Sequence, residues 1–269
     1  MITRPLGPTG VAVAVIGQGT WGMGESRSTE KEEIAALRLG IGLGMTHIDT
    51  AEAYADGGAE RVVGRALEGL RAEVFITTKV WPDNASYAGT LRACEGSLKR
   101  LRTDRIDLYL LHWPSHHPIQ ETMRAMEELV RRGLIRFIGV SNFDAAQLRA
   151  AQAVLTRERL ACDQVLYHLR DRRIERDLLP DCEKRNIAVV GYTPLARGGF
   201  RRGVLAEIAK KYGRTPRQVA LNFLTRRPSL FTIPKANQLA HVRENAAALD
   251  FRLTPDDLKA IDAATRPTP

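Results

Sequence analysis

Residues 73–111, EVFITTKVWPDNASYAGTLRACEGSLKRLRTDRIDLYLL, decide the fold. The stretch opens with E-V-F-I-T-T (73–78) and closes with R-I-D-L-Y-L-L (105–111), two short runs rich in β-branched and large apolar residues. Between them, T-L-R-A-C-E-G-S-L-K-R-L (90–101) repeats its apolar positions with a helical period. A strand, a crossover helix and a second strand form a βαβ unit. Its strands run parallel because the helix carries the chain back to the starting end.

The alternation continues in both directions. Further strands are expected at VAVAVIG (11–17), MTHID (45–49), IRFIGV (135–140), CDQVLY (162–167), IAVVGY (187–192) and FTIP (231–234), eight in all with the first two. Helical periodicity falls at 32–44, 60–70, 121–132 and 144–155, and continues at Leu178 to Arg185, Pro216 to Arg227 and Pro255 to Ala263. Thr215-Pro216 and Thr254-Pro255 read as an N-cap followed by a first-turn proline. At 269 residues, eight such units favour a closed (β/α)8 barrel of the TIM type over an open doubly wound sheet. The opening R-P-L-G-P-T-G-V, punctuated by Gly7-Pro8 and Gly10, reads as a short β-hairpin at the barrel bottom. No linker-like or low-complexity stretch divides the chain, so residues 1–269 are expected to be a single domain.

An open dinucleotide fold would need a G-x-G-x-x-G turn running straight into a helix. Gly17-Gln18-Gly19-Thr20-Trp21-Gly22 has that spacing, but Met23 to Arg27 is not an apolar helix start. These glycines instead read as a strand-end loop that lets backbone approach a ligand, which marks Gly19 and Thr20 as candidate cofactor contacts.

Composition narrows the class. Apolar residues make up 44% and charged residues 26%, an ordinary globular balance. The longest uncharged apolar stretch, Val11 to Gln18, is too short to span a bilayer, and Met1 to Leu6 lacks a signal-like pattern. A cytoplasmic protein is expected, with no membrane partner. The net charge of +9 is spread along the chain with no groove-reading or RNA-binding signature, so nucleic acid is not an expected partner. Cys94, Cys162 and Cys182 lack metal or redox spacing and read as buried, reduced thiols. His116 and His117 are adjacent and lack ligand-spaced carboxylates, so no metal site is expected.

In a barrel, chemistry sits where strands end. The second run delivers Asp49, with Tyr54 five residues later. The third delivers Lys79, the fourth His112, the fifth Ser141-Asn142, the sixth Gln164, the seventh Tyr192 and the eighth Lys235. A structural barrel has no need of a polar group at each of these positions. Taken alone, Lys79 would be a lysine snorkelling from a strand end, Tyr54 a loop tyrosine and His112 a satisfied strand-end histidine. Together they offer more. Asp49 could hold the Lys79 ammonium, the ammonium could lower the pKa of the Tyr54 phenol, and His112 could orient a carbonyl oxygen.

These stretches resemble the signatures of the aldo-keto reductases: D-T-A-x-x-Y (49–54), F-I-T-T-K-V (75–80), L-H-W-P (111–114), G-V-S-N-F (139–143), G-Y-T-P-L (191–195) and I-P-K-A (233–236). They run in family order from about Leu6 to Leu253 and look most like the small bacterial members that reduce aldehydes and keto-aldehydes. The resemblance implies an NADP(H)-dependent oxidoreductase with Asp49, Tyr54, Lys79 and His112 as its catalytic set. It also implies that Ser141, Asn142 and Gln164 bind the nicotinamide carboxamide, that Tyr192 stacks on the ring, and that Thr193 and Leu195 follow in the cofactor loop. Lys235 matches the lysine that pairs with the 2′-phosphate, with Ala236 and Asn237 beside it, and Glu244 and Asn245 match adenine contacts.

The chain departs from the family in four places. Ala236 stands where a hydroxyl residue is frequent, and His241 stands where an arginine is frequent, with Arg243 a nearby substitute. NADP is therefore favoured, with NADH also usable. The connection from Tyr192 to a helix near Gly203 is short, and the tail after the last helix is only Thr265 to Pro269. An open pocket for small carbonyl substrates is expected, walled by Trp21, Trp81, Trp113 and His112. Small members of this family are often monomers. The alternative is a nicotinamide-binding regulatory subunit without turnover, against which the complete catalytic set argues.

Overall fold

The computed structural model describes residues 1–196, 198 and 203–265. The chain opens with an antiparallel pair, β1 (Thr3–Pro5) and β2 (Ala12–Ala14), whose register sets Arg4 opposite Val13. Barrel elements follow: β3 (Gln18–Gly19), α1 (Glu30–Gly42), β4 (His47–Asp49), α2 (Gly58–Ala66), β5 (Phe75–Val80), α3 (Tyr87–Leu101) and β6 (Ile106–Leu111). Then come α4 (Ile119–Arg131), β7 (Ile135–Ser141), α5 (Ala145–Val154), β8 (Leu160–Leu166), α6 (Leu178–Arg185) and β9 (Ala188–Tyr192). The last elements are α7 (Val204–Tyr212), α8 (Pro216–Leu224), β10 (Leu230–Thr232), α9 (Leu239–Ala246) and α10 (Pro255–Thr265).

Strands β3 to β10 pair in chain order, all parallel. The ring closes between its ends. Ile16 bridges Thr232, the Gly17 N–H donates to Thr232 O at 2.8 Å, and the Gly19 N–H donates to Pro234 O at 3.2 Å. A Cβ on Gly19 would lie 2.7 Å from Ile233 O, so a side chain there would push the seam apart. The architecture is the (β/α)8 fold with an N-terminal hairpin.

One boundary differs from the expectation. The run 11–17 is not a single barrel strand: its Ala12–Ala14 portion pairs with β1, while Val15 to Gly17 bond Thr232 at the seam ahead of β3. Val13 and Val15 are buried with Leu6 and Phe231 in the cluster filling the barrel interior, so the run is apolar because it plugs the barrel floor. The larger apolar cluster lies between sheet and helices. Thr215 caps α8 as read, its hydroxyl accepting from the Gln218 N–H at 3.2 Å.

Candidate active site

The strand ends bring the candidate residues to one mouth. Asp49 ends β4 and Lys79 lies near the end of β5, the strand beside it. Lys79 Nζ donates to Asp49 Oδ1 at 2.8 Å and to Thr50 O at 2.7 Å. It also lies 3.4 Å from the Tyr54 hydroxyl and 5.0 Å from the centre of that ring. Tyr54 is aimed by the turn leading into α2, in which Ala55, Asp56 and Gly57 have φ of 50°, 49° and 75°. Left-handed backbone at two non-glycine residues costs on the order of 1 kcal/mol each, and such cost collects at functional turns.

His112 follows β6, its N–H donating to Val80 O at 3.0 Å. Its ring meets Tyr54 edge-on at 5.6 Å and Trp81 at 5.3 Å. Gln164, on β8, crosses the barrel to donate from Nε2 to Asp49 Oδ2 at 2.6 Å. Both carboxylate oxygens of Asp49 are thereby occupied. Ser141 Oγ donates to Gln164 O at 2.8 Å, Asn142 Nδ2 donates to His112 O at 3.1 Å, and the Tyr192 hydroxyl donates to Asn142 Oδ1 at 2.8 Å.

Burial and charge set the protonation states. Burial opposes the charge on Lys79, but Asp49 and Tyr54 outweigh it and hold the pKa of the ammonium above its ordinary value. Burial and Lys79 together push the His112 imidazole down to about 3, so it is neutral at physiological pH. Its Nδ1 is buried without a hydrogen-bond partner. For Tyr54 the expected lowering by Lys79 is present, yet burial dominates and the phenol stands above its ordinary value. The correction has a physical cause: the pocket strips water from the phenolate more effectively than one shared ammonium stabilises it.

A cavity of about 700 Å³ opens over this centre, a size typical of small-molecule sites. Tyr54, His112, Trp21, Trp81 and Trp113 line it. Ser141, Asn142, Gln164 and Tyr192 line it too, with Gly19 and Thr20. Thr193, Leu195 and Lys235 also belong to the wall. Trp21 is 62% exposed, so this wall is open to solvent. Lys79 is fully buried beneath Tyr54 and does not line the cavity.

Five of the expected cofactor residues stand outside that lining: Ala236, Asn237, His241, Glu244 and Asn245. Ala236 packs in an apolar cluster, while Asn237 and Asn245 each keep a buried Oδ1 without a partner. Glu244 accepts from the Thr215 hydroxyl at 2.5 Å. Arg243 is exposed and does not line the cavity either. Arg217, in the first turn of α8, does line it. The sequence reading missed it because an arginine behind a helix-starting proline looks like any solvated helix residue.

The remaining expectations concern groups outside the site. All three cysteines are buried and free, and burial raises the Cys94 thiol to about 12. His116 and His117 stack at 4.1 Å. No helix among the described residues is long and apolar enough to cross a membrane.

Fold and site together define a (β/α)8 barrel with a buried Lys79–Asp49 pair and Tyr54 beside a cavity of about 700 Å³. The chain belongs to the aldo/keto reductase family, whose sequence profile matches residues 15–266. It is 47% identical over 260 residues to methylglyoxal reductase YeaE of Escherichia coli (strain K12), covering 94% of this chain and 92% of that protein. Glyoxal reductase of Bacillus subtilis (strain 168) is 35% identical over 239 residues, covering 87% of this chain and 84% of its own length. Among solved structures, an aldo/keto reductase from Klebsiella pneumoniae in complex with NADP and acetate superposes with a TM-score of 0.95 at 45% identity. That match covers 100% of this chain and 97% of the other.

Proposed function

We propose that this protein reduces small aldehydes, keto-aldehydes and ketones to alcohols with NADPH, using Tyr54 as the general acid. One observation carries the reading: the Tyr54 hydroxyl stands 3.4 Å from a buried ammonium, which Asp49 holds at 2.8 Å, at the mouth of the 700 Å³ cavity. The relatives support it, being reductases of methylglyoxal and glyoxal, and the Klebsiella pneumoniae structures hold NADP or NADPH.

The residues present fit such a cofactor. Asn142 and Gln164 present amide groups in the same lining as Tyr192, and Lys235 adds a cation. When bound, the nicotinamide supplies hydride to the carbonyl carbon. The protein's part is proton placement and orientation. Tyr54, protonated at neutral pH, gives its proton to the carbonyl oxygen as charge develops there. Lys79 stabilises the phenolate left behind and is itself oriented by Asp49. Neutral His112 positions the carbonyl oxygen by a hydrogen bond. Trp21, Trp81 and Trp113 supply an apolar wall for a small substrate, and its exposure suits broad specificity.

The test is turnover of wild type and Tyr54→Phe with NADPH across methylglyoxal, aromatic aldehydes and keto esters. The account expects activity on several of them and a loss of ~10²–10⁴-fold in Tyr54→Phe. Quenching of tryptophan fluorescence by NADPH should remain. Binding without turnover in the wild type would point to the regulatory reading instead.

A further inference from the structure

The cavity lining includes two cations, Lys235 and Arg217. Lys235 follows β10 and makes no ion pair among the described residues. Arg217 sits behind Pro216 in the first turn of α8, its side chain 33% exposed. Its one ion-pair contact among the described residues is Glu244, at 3.7 Å from Nε, beyond hydrogen-bonding distance.

The turn that carries Arg217 is fixed on both sides. Thr215 donates its hydroxyl to Glu244 Oε1 at 2.5 Å, and Gln218 Nε2 donates to Glu244 O at 3.0 Å. Glu244 is therefore shared with Thr215 and leaves the guanidinium incompletely paired beside the cavity. Among the described residues no other arginine lines the cavity. His241 and Arg243, the positions where the sequence pointed for a second cation, both stand outside the lining.

The chemistry of the ligand favours a second cation. A phosphorylated dinucleotide brings a diphosphate and a monophosphate, more charge than one lysine balances. Arginine presents planar, forked donors that match phosphate oxygens in pairs, whereas lysine acts as a point charge. From this we infer that Arg217 is the second phosphate-binding cation of the cofactor site, its guanidinium pairing with a phosphate oxygen of bound NADP(H) while Lys235 holds another. The inference rests on the NADP(H) reading of the same cleft. Glu244 orients Arg217 from behind and is a positioning residue.

Equilibrium binding tests this without turnover. Tryptophan quenching is titrated in wild type, Arg217→Ala, Arg217→Gln and Arg217→Lys, with NADP⁺ and NAD⁺. Adenosine is then tested as a competitor of NADPH. Loss of a charge-assisted bond is expected to weaken NADP⁺ by about 10- to 100-fold in the Ala and Gln variants. The Lys variant should recover part of the affinity, and adenosine should be unaffected. A loss confined to NADP⁺ assigns the 2′-phosphate, and a loss shared with NAD⁺ assigns the diphosphate. Less than a two-fold change for NADP⁺ overturns the inference. So does an equal loss for adenosine, which would mean that Arg217 packs on the base. Wild type that does not bind NADP⁺ at all overturns the cofactor reading itself.

Discussion

Replacing Lys79 by methionine keeps the stem volume and removes the charge. The Lys79 side chain is 0% exposed and that of Asp49 only 2%. The substitution leaves a buried carboxylate whose remaining hydrogen-bond donor is Gln164 Nε2 at 2.6 Å. Breaking one side of a buried ion pair costs ~3–5 kcal/mol. At about 2–4 °C per kcal/mol for a chain of this size, the melting temperature should fall by roughly 10 °C. The loss has a sign in pH. In the variant, the penalty falls on the charged carboxylate, which burial leaves without its counter-ion. The penalty is therefore small in acid, where both states are protonated, and grows as pH rises. In wild type the raised Lys79 value contributes stability that is fully present below the ordinary 10.5 and is lost as pH climbs past it. Thermal melts of wild type, Lys79→Met, Asp49→Asn and the double variant at pH 5 and pH 8 measure the coupling. The double variant should recover more than half of the stability and none of the turnover. If Lys79→Met melts within 2 °C of wild type at pH 8, the buried-pair reasoning fails.

Three further outcomes follow from the same structure. Burial lowers His47 to about 4 and His112 to about 3, so the stability their neutral forms contribute is present above the ordinary 6.5 and is lost as pH falls through those values; for His47 this amounts to ~3 kcal/mol, and a His47→Gln variant should show a shallower fall in melting temperature between pH 7 and pH 4. Asp163 is fully buried with no hydrogen bond completed to either oxygen, and burial raises it well above the carboxylate range against the opposing pull of the Phe143 N–H; Asp163→Asn should gain on the order of 1–3 kcal/mol at pH 8 and little at pH 4, read by denaturant midpoints. Arg172 is 2% exposed and ties Glu175 at 2.7 Å to Asp262 at 2.5 Å and Thr265 at 3.0 Å; Arg172→Met should cost ~2–4 kcal/mol and speed proteolytic release of α10.

The gathering of the candidate residues at one mouth was legible in the sequence largely because of how a parallel barrel is built. Each inner strand is apolar until its last residue or two, so Asp49, Lys79, His112 and Gln164 stand out against the runs that precede them. Lysine is rare here, eight among forty basic residues, which makes Lys79 conspicuous. Long-range contacts were hidden. The Gln164–Asp49 hydrogen bond joins residues 115 apart and exists only once the barrel closes. The seam at Gly19 and the split of run 11–17 are likewise products of closure, since an apolar run looks the same on a barrel floor as in a barrel strand. The raised Tyr54 value depends on how much water the pocket excludes, and the place of Arg217 depends on which side of α8 faces the cleft. Neither leaves a pattern in the residues themselves.

The most direct test of the central claim is a single turnover with cofactor saturating, followed by loss of reduced-nicotinamide absorbance on mixing with methylglyoxal. If Tyr54 delivers the proton, Tyr54→Phe binds NADPH with wild-type affinity and loses absorbance at least ~10² times more slowly. A variant that binds NADPH normally and decays at the wild-type rate would contradict it.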